Sequence, residues 1–280
     1  MSIRNFQLYG KFIFPSKDLK YSFSLLNLIV MKGGLRMQTI TRAMKIIDCF
    51  ISSEPNRFLS ITELSKQCNL PVSSIHRILN AMIKHELIQQ DQERKLYGLG
   101  ITWLEYGLKM YDTMDYVSVV RPDLESLMKQ VEASVYLRKP IGSESIIIER
   151  IDCTNQTILA HEKLGLRSSL HEGEANLAML AHMKREKVEE IIQELIPENK
   201  KDDFFLQLHH IKRDGYAIGE DNEDQITTVA APVVNHYGDI IGAVNVKIKS
   251  STMTAEKKEQ VINEVTNTVN KISWKMGYQN

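Results

Sequence analysis

The chain has 280 residues, 43% of them hydrophobic and 25% charged, with a formal net charge of zero. That is the ordinary composition of soluble globular protein, and the length suits two domains better than one. Its three cysteines, Cys49, Cys68 and Cys153, lie far apart with no CxxC pair, which argues against a disulfide framework and a structural zinc site.

Charge is unevenly spread. Residues 1–36 carry six Lys/Arg against one Asp, and residues 37–100 carry eight against six. Residues 101–280 carry 21 against 28, so a basic front precedes an acidic rear, as suits a nucleic-acid reader fused to something else. The run "YSFSLLNLIVM", Tyr21 to Met31, is shorter than the roughly 20 apolar residues that span a bilayer, and no small-x-small cleavage site follows it. Lys32-Gly33-Gly34 can be encoded AAA GGA GGN, a bacterial ribosome-binding sequence just upstream of Met37. We therefore expect residues 1–36 to be a non-structural leader, with Met37 the favoured start; the rival is a basic arm that adds phosphate contacts.

From Thr41, Ala43, Ile46, Ile47, Phe50 and Ile51 recur at three- and four-residue spacing, which predicts a helix with one apolar face. After "SSEPNR", Ser60 and Glu63 form an S-x-x-E capping box that opens a second helix with Ile61, Leu64 and Leu70 inward. Asn69 stands where a turn needs the left-handed conformation, and Pro71 suits the first turn of a third helix. That helix buries Ile75, Ile78, Leu79 and Met82 and presents Ser73, Ser74, His76, Arg77 and Asn80. Short hydroxyls allow close approach, Arg can be bidentate to guanine, and Asn to adenine. "LIQQDQERKLYGLG" follows as two short strands around a turn at Asp91 to Lys95. Residues 38–100 thus read as a winged helix-turn-helix that binds DNA. Lys45, Arg94 and Lys95 are expected on phosphate, and Ser73, Ser74, Arg77 and Asn80 on bases.

Residues 101–120 are expected to be a linker helix, broken near Arg121-Pro122 because proline disfavours a helical residue before it. The strand candidates beyond it are "ASVYLRK", "ESIIIERID", "QTILAHE", "YAIGE", "ITTVAAPVV" and "DIIGAVNVKI". "SSLHEGEANLAMLAHM" reads as a loop into a helix, and "REKVEEIIQEL", "KDDFFLQLHHIKRDG" and Thr254 to Met276 as further helices. The whole is α+β, with a second domain of five or six mostly antiparallel strands over residues 121–280.

"LPVSSIHRIL", the "YGLG" wing end, "SLHEGEANLAMLA", "GYAIG" and "VAAPVV…DIIGAVNV", in this order and spacing, resemble the IclR family of bacterial transcription regulators over about residues 38–277. The resemblance implies a GAF-like effector-binding domain. It implies dimers or pairs of dimers on palindromic double-stranded DNA, and small carboxylates or aromatic acids as effectors. Carried over, the pocket lining comprises Ala160, His171, Gly173, Glu174, Ala175, Ile226, Thr228, Asn245 and Lys247. Departures are Glu174 for a small residue, Asn176 for glycine, Leu177 for lysine, Thr228 for cysteine, and Asn245 and Lys247 for a Ser-x-Ser.

Two readings of these departures stay open. Lys247 can offer a cation to an acidic ligand, with Glu174 and Asn245 on the hydroxyls of a polyol or sugar acid. Alternatively Lys247 pairs with Glu174 or points to solvent. No H-E-x-x-H, G-x-S-x-G, P-loop or G-x-G-x-x-G motif occurs, and neither His171 nor Cys153 has a partner that would make it catalytic. The expectation is a cytoplasmic regulator, favoured as a repressor, without enzymatic activity, cofactor or metal, and outside the membrane. One alternative is a metabolite sensor or enzyme whose winged domain contacts protein. The other is an RNA binder, which would need stacking aromatics that the third helix lacks.

Overall fold

The computed structural model describes residues 39–52, 57–153 and 162–278. The described residues up to Ser126 form one compact unit, and those from Leu127 onward form another. The leader 1–36, Ala160 and most of the strand candidate "QTILAHE" lie outside the described residues.

In the first unit, α1 (Thr39–Ile51) buries Ile46, Ile47 and Phe50 against α2 (Ile61–Cys68) and α3 (Val72–Ile83). Ile51, expected on the apolar face, is exposed because it occupies the last helical position, where the stripe runs off the core. α2 opens with the predicted capping box: Glu63 N–H donates to Ser60 Oγ at 3.2 Å, and Ser60 N–H donates to the Glu63 carboxylate at 2.8 Å. Asn69 ends α2 in the left-handed region at φ 52°, and its side-chain type tolerates that conformation better than most. Pro71 sits one position earlier than expected, as the residue capping α3, where its carbonyl accepts from Ser74 and Ile75 N–H.

The wing is β2 (Ile88–Asp91) and β3 (Leu96–Leu99), antiparallel, with Leu96 and Tyr97 also paired to a two-residue strand β1 (Leu59–Ser60) that the sequence did not announce. At the wing's end Gly100 allows a close approach. A Cβ there would lie 1.8 Å from the Glu86 carbonyl oxygen, so no larger residue fits without moving the backbone. Just beyond, Trp103 Nε1 donates to Leu87 O at 2.7 Å, tying the start of α4 (Thr102–Asp112) to the wing.

The helical region that follows breaks earlier than expected, at Thr113-Met114. Thr113 Oγ1 donates back to Met110 O at 2.6 Å, taking up a last-turn carbonyl. The next helix, α5 (Asp115–Val131), runs straight through Pro122 and carries the chain from one unit into the other. The preference of the residue before proline was therefore overridden, although an interior proline costs a helix about 3 kcal/mol.

The second unit holds a six-stranded antiparallel sheet in the order β6-β5-β4-β9-β8-β7. Its strands are β4 (Ser134–Ile141), β5 (Glu144–Ile151), β6 (Arg167–Ser169), β7 (Ala217–Asp221), β8 (Ile226–Val234) and β9 (Ile240–Lys249). β6 lies where a loop was expected. It is three residues long, too short to show alternation, and exists through its pairing with Glu144, Ser145 and Ile146. One sheet face meets α6 (Glu174–His182), with α7 (Arg185–Leu195) and α8 (Lys201–Asp214) in the same core cluster. The small side chains of Ala217, Ala230 and Ala243 admit α6 closely. The other face, with Val229, Val244, Val246 and Ile248 fully buried, is covered by α9 (Ala255–Lys275) through Val261, Val265, Val269 and Ile272. Among the described residues no helix is long and apolar enough to cross a membrane.

Candidate DNA-reading face and effector pocket

On α3, spacing by three and four residues places Ser73, His76, Arg77 and Asn80 along one exposed face, with Ser74 half-buried beside it. Asn80 Nδ2 and His76 Nδ1 are 3.3 Å apart, one turn from each other, so their polar ends are oriented by a mutual hydrogen bond. The wing turn is shaped by Asp91, whose Oδ1 accepts from the backbone N–H of Glu93 and Arg94, both at 3.0 Å. Lys95 takes the left-handed conformation at φ 55°, and the tip presents Arg94 and Lys95 to solvent. Lys45 is half-buried on α1, beside Cys49.

In the second unit, Ala243, Asn245 and Lys247 alternate onto the sheet face that α6 covers. Register places Thr228 and Ser134 either side of Lys247, and Ala230 and Tyr136 either side of Asn245. α6 starts short of the sheet's end, and there a cavity of about 510 Å³ opens. Gly173, Glu174, Ile226, Thr228 and Lys247 line it, with the β7–β8 turn Glu220 to Asp224 along its mouth. Glu174 packs directly on Gly219, where a Cβ would come within 1.9 Å of Oε1. The other described residues expected in the pocket do not line this cavity: Asn245 is fully buried on β9, His171 bonds to Ser169 Oγ through Nδ1 at 2.6 Å and faces Glu172, and Ala175 is buried in the core on α6.

The structure overturns the pairing of Lys247 with Glu174. Lys247 Nζ instead meets Glu162 Oε1 at 3.1 Å, and the same oxygen accepts from Arg138 at 2.9 Å. Glu162 lies 85 positions from Lys247, and no local pattern announces the pair. Arg138 is nearly buried and also donates to Ser145 Oγ and Ser168 Oγ, at 3.3 and 2.8 Å. Asn176, 2% exposed, completes the set. It accepts from Ser145 and donates to Ser168 Oγ and the carbonyls of Ser169 and Glu172. So the asparagine that stands for a glycine latches the loop before α6 to β5 and β6. Among the described residues of this region, Glu162 Oε2 and Asn245 Oδ1 are buried with no hydrogen-bond partner, and the buried Tyr136 hydroxyl lies against the Glu162 backbone. Burial, and secondly the Glu162 charge, push the Tyr136 phenol up, so it stays a hydroxyl.

A winged helix-turn-helix joined in one chain to an antiparallel α+β domain is an architecture of transcription regulators. The comparisons with known proteins then give the family. The model "Bacterial transcriptional regulator IclR C-terminal" matches residues 108–274 and the "IclR helix-turn-helix domain" matches residues 39–92, so the chain belongs to the IclR family of DNA-binding transcription regulators. Among relatives, the HTH-type transcriptional regulator KipR of Bacillus subtilis is 24% identical over 249 residues, covering 86% of this chain and 98% of that protein. The transcriptional repressor IclR of Escherichia coli is 23% identical over 236 residues, covering 79% and 84%. A solved IclR homologue of Microbacterium hydrocarbonoxydans, complexed with 4-hydroxybenzoate, superposes with a TM-score of 0.73 at 17% identity, over 86% of this chain and 99% of that one.

Proposed function

We propose that this regulator is a repressor that binds a palindromic operator as a homodimer or homotetramer in the cytoplasm, and that a small hydroxylated organic acid or sugar acid in the second unit sets its operator affinity. The observation that carries the ligand class is the set of unpartnered buried atoms. Among the described residues Asn245 Oδ1 and Glu162 Oε2 are acceptors without donors, and a buried acceptor left unmade costs about 1–3 kcal/mol. A ligand with hydroxyl groups supplies those donors, and the Tyr136 hydroxyl can give one more. Lys247 offers the cation for a carboxylate, while the acidic turn at the mouth disfavours a bare, multiply charged anion. The 4-hydroxybenzoate of the Microbacterium relative, a carboxylate that carries a hydroxyl, has the same two features.

In this reading Arg77, Ser73, Ser74 and Asn80 contact bases, with His76 orienting Asn80, and Lys45, Arg94 and Lys95 hold phosphates. A thermal-shift panel of hydroxylated acids, matched deoxy acids and neutral polyols tests the ligand class. Hydroxylated acids should raise Tm most. Equal shifts from the deoxy acids would contradict the role given to the unpartnered acceptors.

A further inference from the structure

Cys49 and Cys68 are 19 positions apart in sequence, yet the fold brings their sulfur atoms to 3.4 Å, with one thiol donating to the other. Cys49 stands on α1 and is partly accessible, whereas Cys68 is the last residue of α2 and only 4% exposed. A disulfide has its sulfurs about 2.0 Å apart, so bonding requires an approach of roughly 1.4 Å between two helix-borne side chains. We propose that these two residues are an oxidation site: hydrogen peroxide or an organic hydroperoxide converts them to a reversible disulfide that ties α1 to the end of α2 and alters the presentation of α3.

The two thiols are not equivalent. The Cys68 hydrogen bond, opposed in part by burial, holds the Cys49 thiol below its ordinary value, and Lys45 acts in the same direction. Cys68 is pushed well up by its bond to Cys49 and by burial. Cys49 is thus the attacking group and Cys68 the resolving one. The Cys49 thiolate sulfur attacks one peroxide oxygen, the O–O bond breaks, and hydroxide (or alkoxide) leaves to be protonated. Cys49 is now a sulfenic acid, oxidised by two electrons as the peroxide is reduced. The Cys68 sulfur then attacks the Cys49 sulfur, the S–O bond breaks, and the Cys68 proton leaves with the hydroxyl as water. Two thiols and one hydrogen peroxide give one disulfide and two waters.

The link to α3 is short. Cys68 is followed at once by left-handed Asn69, and the turn is held by Leu70 N–H to Ser65 O at 3.1 Å and by Ser65 Oγ to Leu70 O at 2.6 Å. Pro71 then starts α3. Drawing Cys68 toward α1 therefore loads the turn that aims the exposed face of α3.

The test uses the full-length reduced chain and stoichiometric hydrogen peroxide, followed by thiol titration under denaturing conditions, intact mass and peptide mapping. Titratable thiols should fall from the three present to one, with a Cys49–Cys68 peptide, Cys153 unmodified and full reversal by dithiothreitol. Cys68→Ser should stop at a Cys49 sulfenic acid that dimedone traps, and Cys49→Ser should not form the bond. Affinity for a duplex from the intergenic DNA upstream of the gene should drop at least about tenfold on oxidation and recover on reduction, within the usual range of coupling between sites. Three thiols still titrating, or Cys153 reacting first, overturns the site. A disulfide that leaves duplex affinity unchanged overturns the switch. The covalent readouts do not depend on DNA binding, so they separate failure of this proposal from failure of the repressor reading.

Discussion

The exposed face of α3 and the cluster around Glu162 and Arg138 in the second unit are both polar, but they are built on opposite plans. In the first unit the local geometry is set by groups within a few residues: a capping box at Ser60 and Glu63 before α2, an Asx turn at Asp91 in the wing, a one-turn bond between His76 and Asn80 on α3. In the second unit the partners come from four strands, a helix start and Glu162, and most are buried or half-buried. The first arrangement can lose one member and keep its shape. The second is a network centred on Glu162 and Arg138, in which removing the shared carboxylate strands the cations bonded to it.

That contrast is broken most forcefully at Glu162. Glu162→Ala leaves nearly buried Arg138 without its carboxylate and should destabilise the second unit by about 3–5 kcal/mol, read by urea denaturation. A loss below about 1 kcal/mol, typical of an exposed pair, would mean that the two regions do not differ in this way. On the exposed side, Arg77→Ala should leave the fold intact and cost about 1–3 kcal/mol in operator binding, relaxing specificity at one base pair. Equal losses on operator and random duplex would remove Arg77 from base reading.

The same contrast explains what was legible in the sequence. The capping box, the left-handed Asn69, the apolar stripe of α3 and the wing could all be read, because spacing of three or four residues encodes them directly. Lys247 and Asn245 could be placed on the sheet and flagged as departures, but their surroundings could not. Glu162 lies far from Lys247 in the chain, and Asn176 makes its bonds to a strand too short to show alternation. Pro122 misled because a rule for local conformation met a helix held by its wider context. The proximity of Cys49 and Cys68 was hidden for a related reason: helix packing, not spacing, brings them together.

Smaller effects sharpen the local side. Ser60→Ala removes one half of the capping box and should cost about 1 kcal/mol of stability in the first unit, measured by thermal or chemical unfolding. The box also carries a pH signature. Hydrogen bonds from Ser60, backbone first, hold the Glu63 carboxyl below its ordinary value. Its contribution is therefore present above the unfolded value and fades as pH falls through the folded one, and Ser60→Ala should flatten that acid limb. Lys95→Ala, at the exposed wing tip, should weaken all duplexes alike and reduce the salt slope by about one.

The decisive measurement is operator binding by fluorescence anisotropy, for the wild type and Lys247→Ala, with and without a hydroxylated acid that raises Tm. Glu162 keeps Arg138 as a partner in the variant, so the fold and ligand-free operator affinity should be unchanged. The ligand should shift wild-type affinity by at least about fivefold, the lower end of common coupling energies, and shift the variant not at all. An equal ligand response in both proteins would contradict the proposal that the site around Lys247 controls DNA binding.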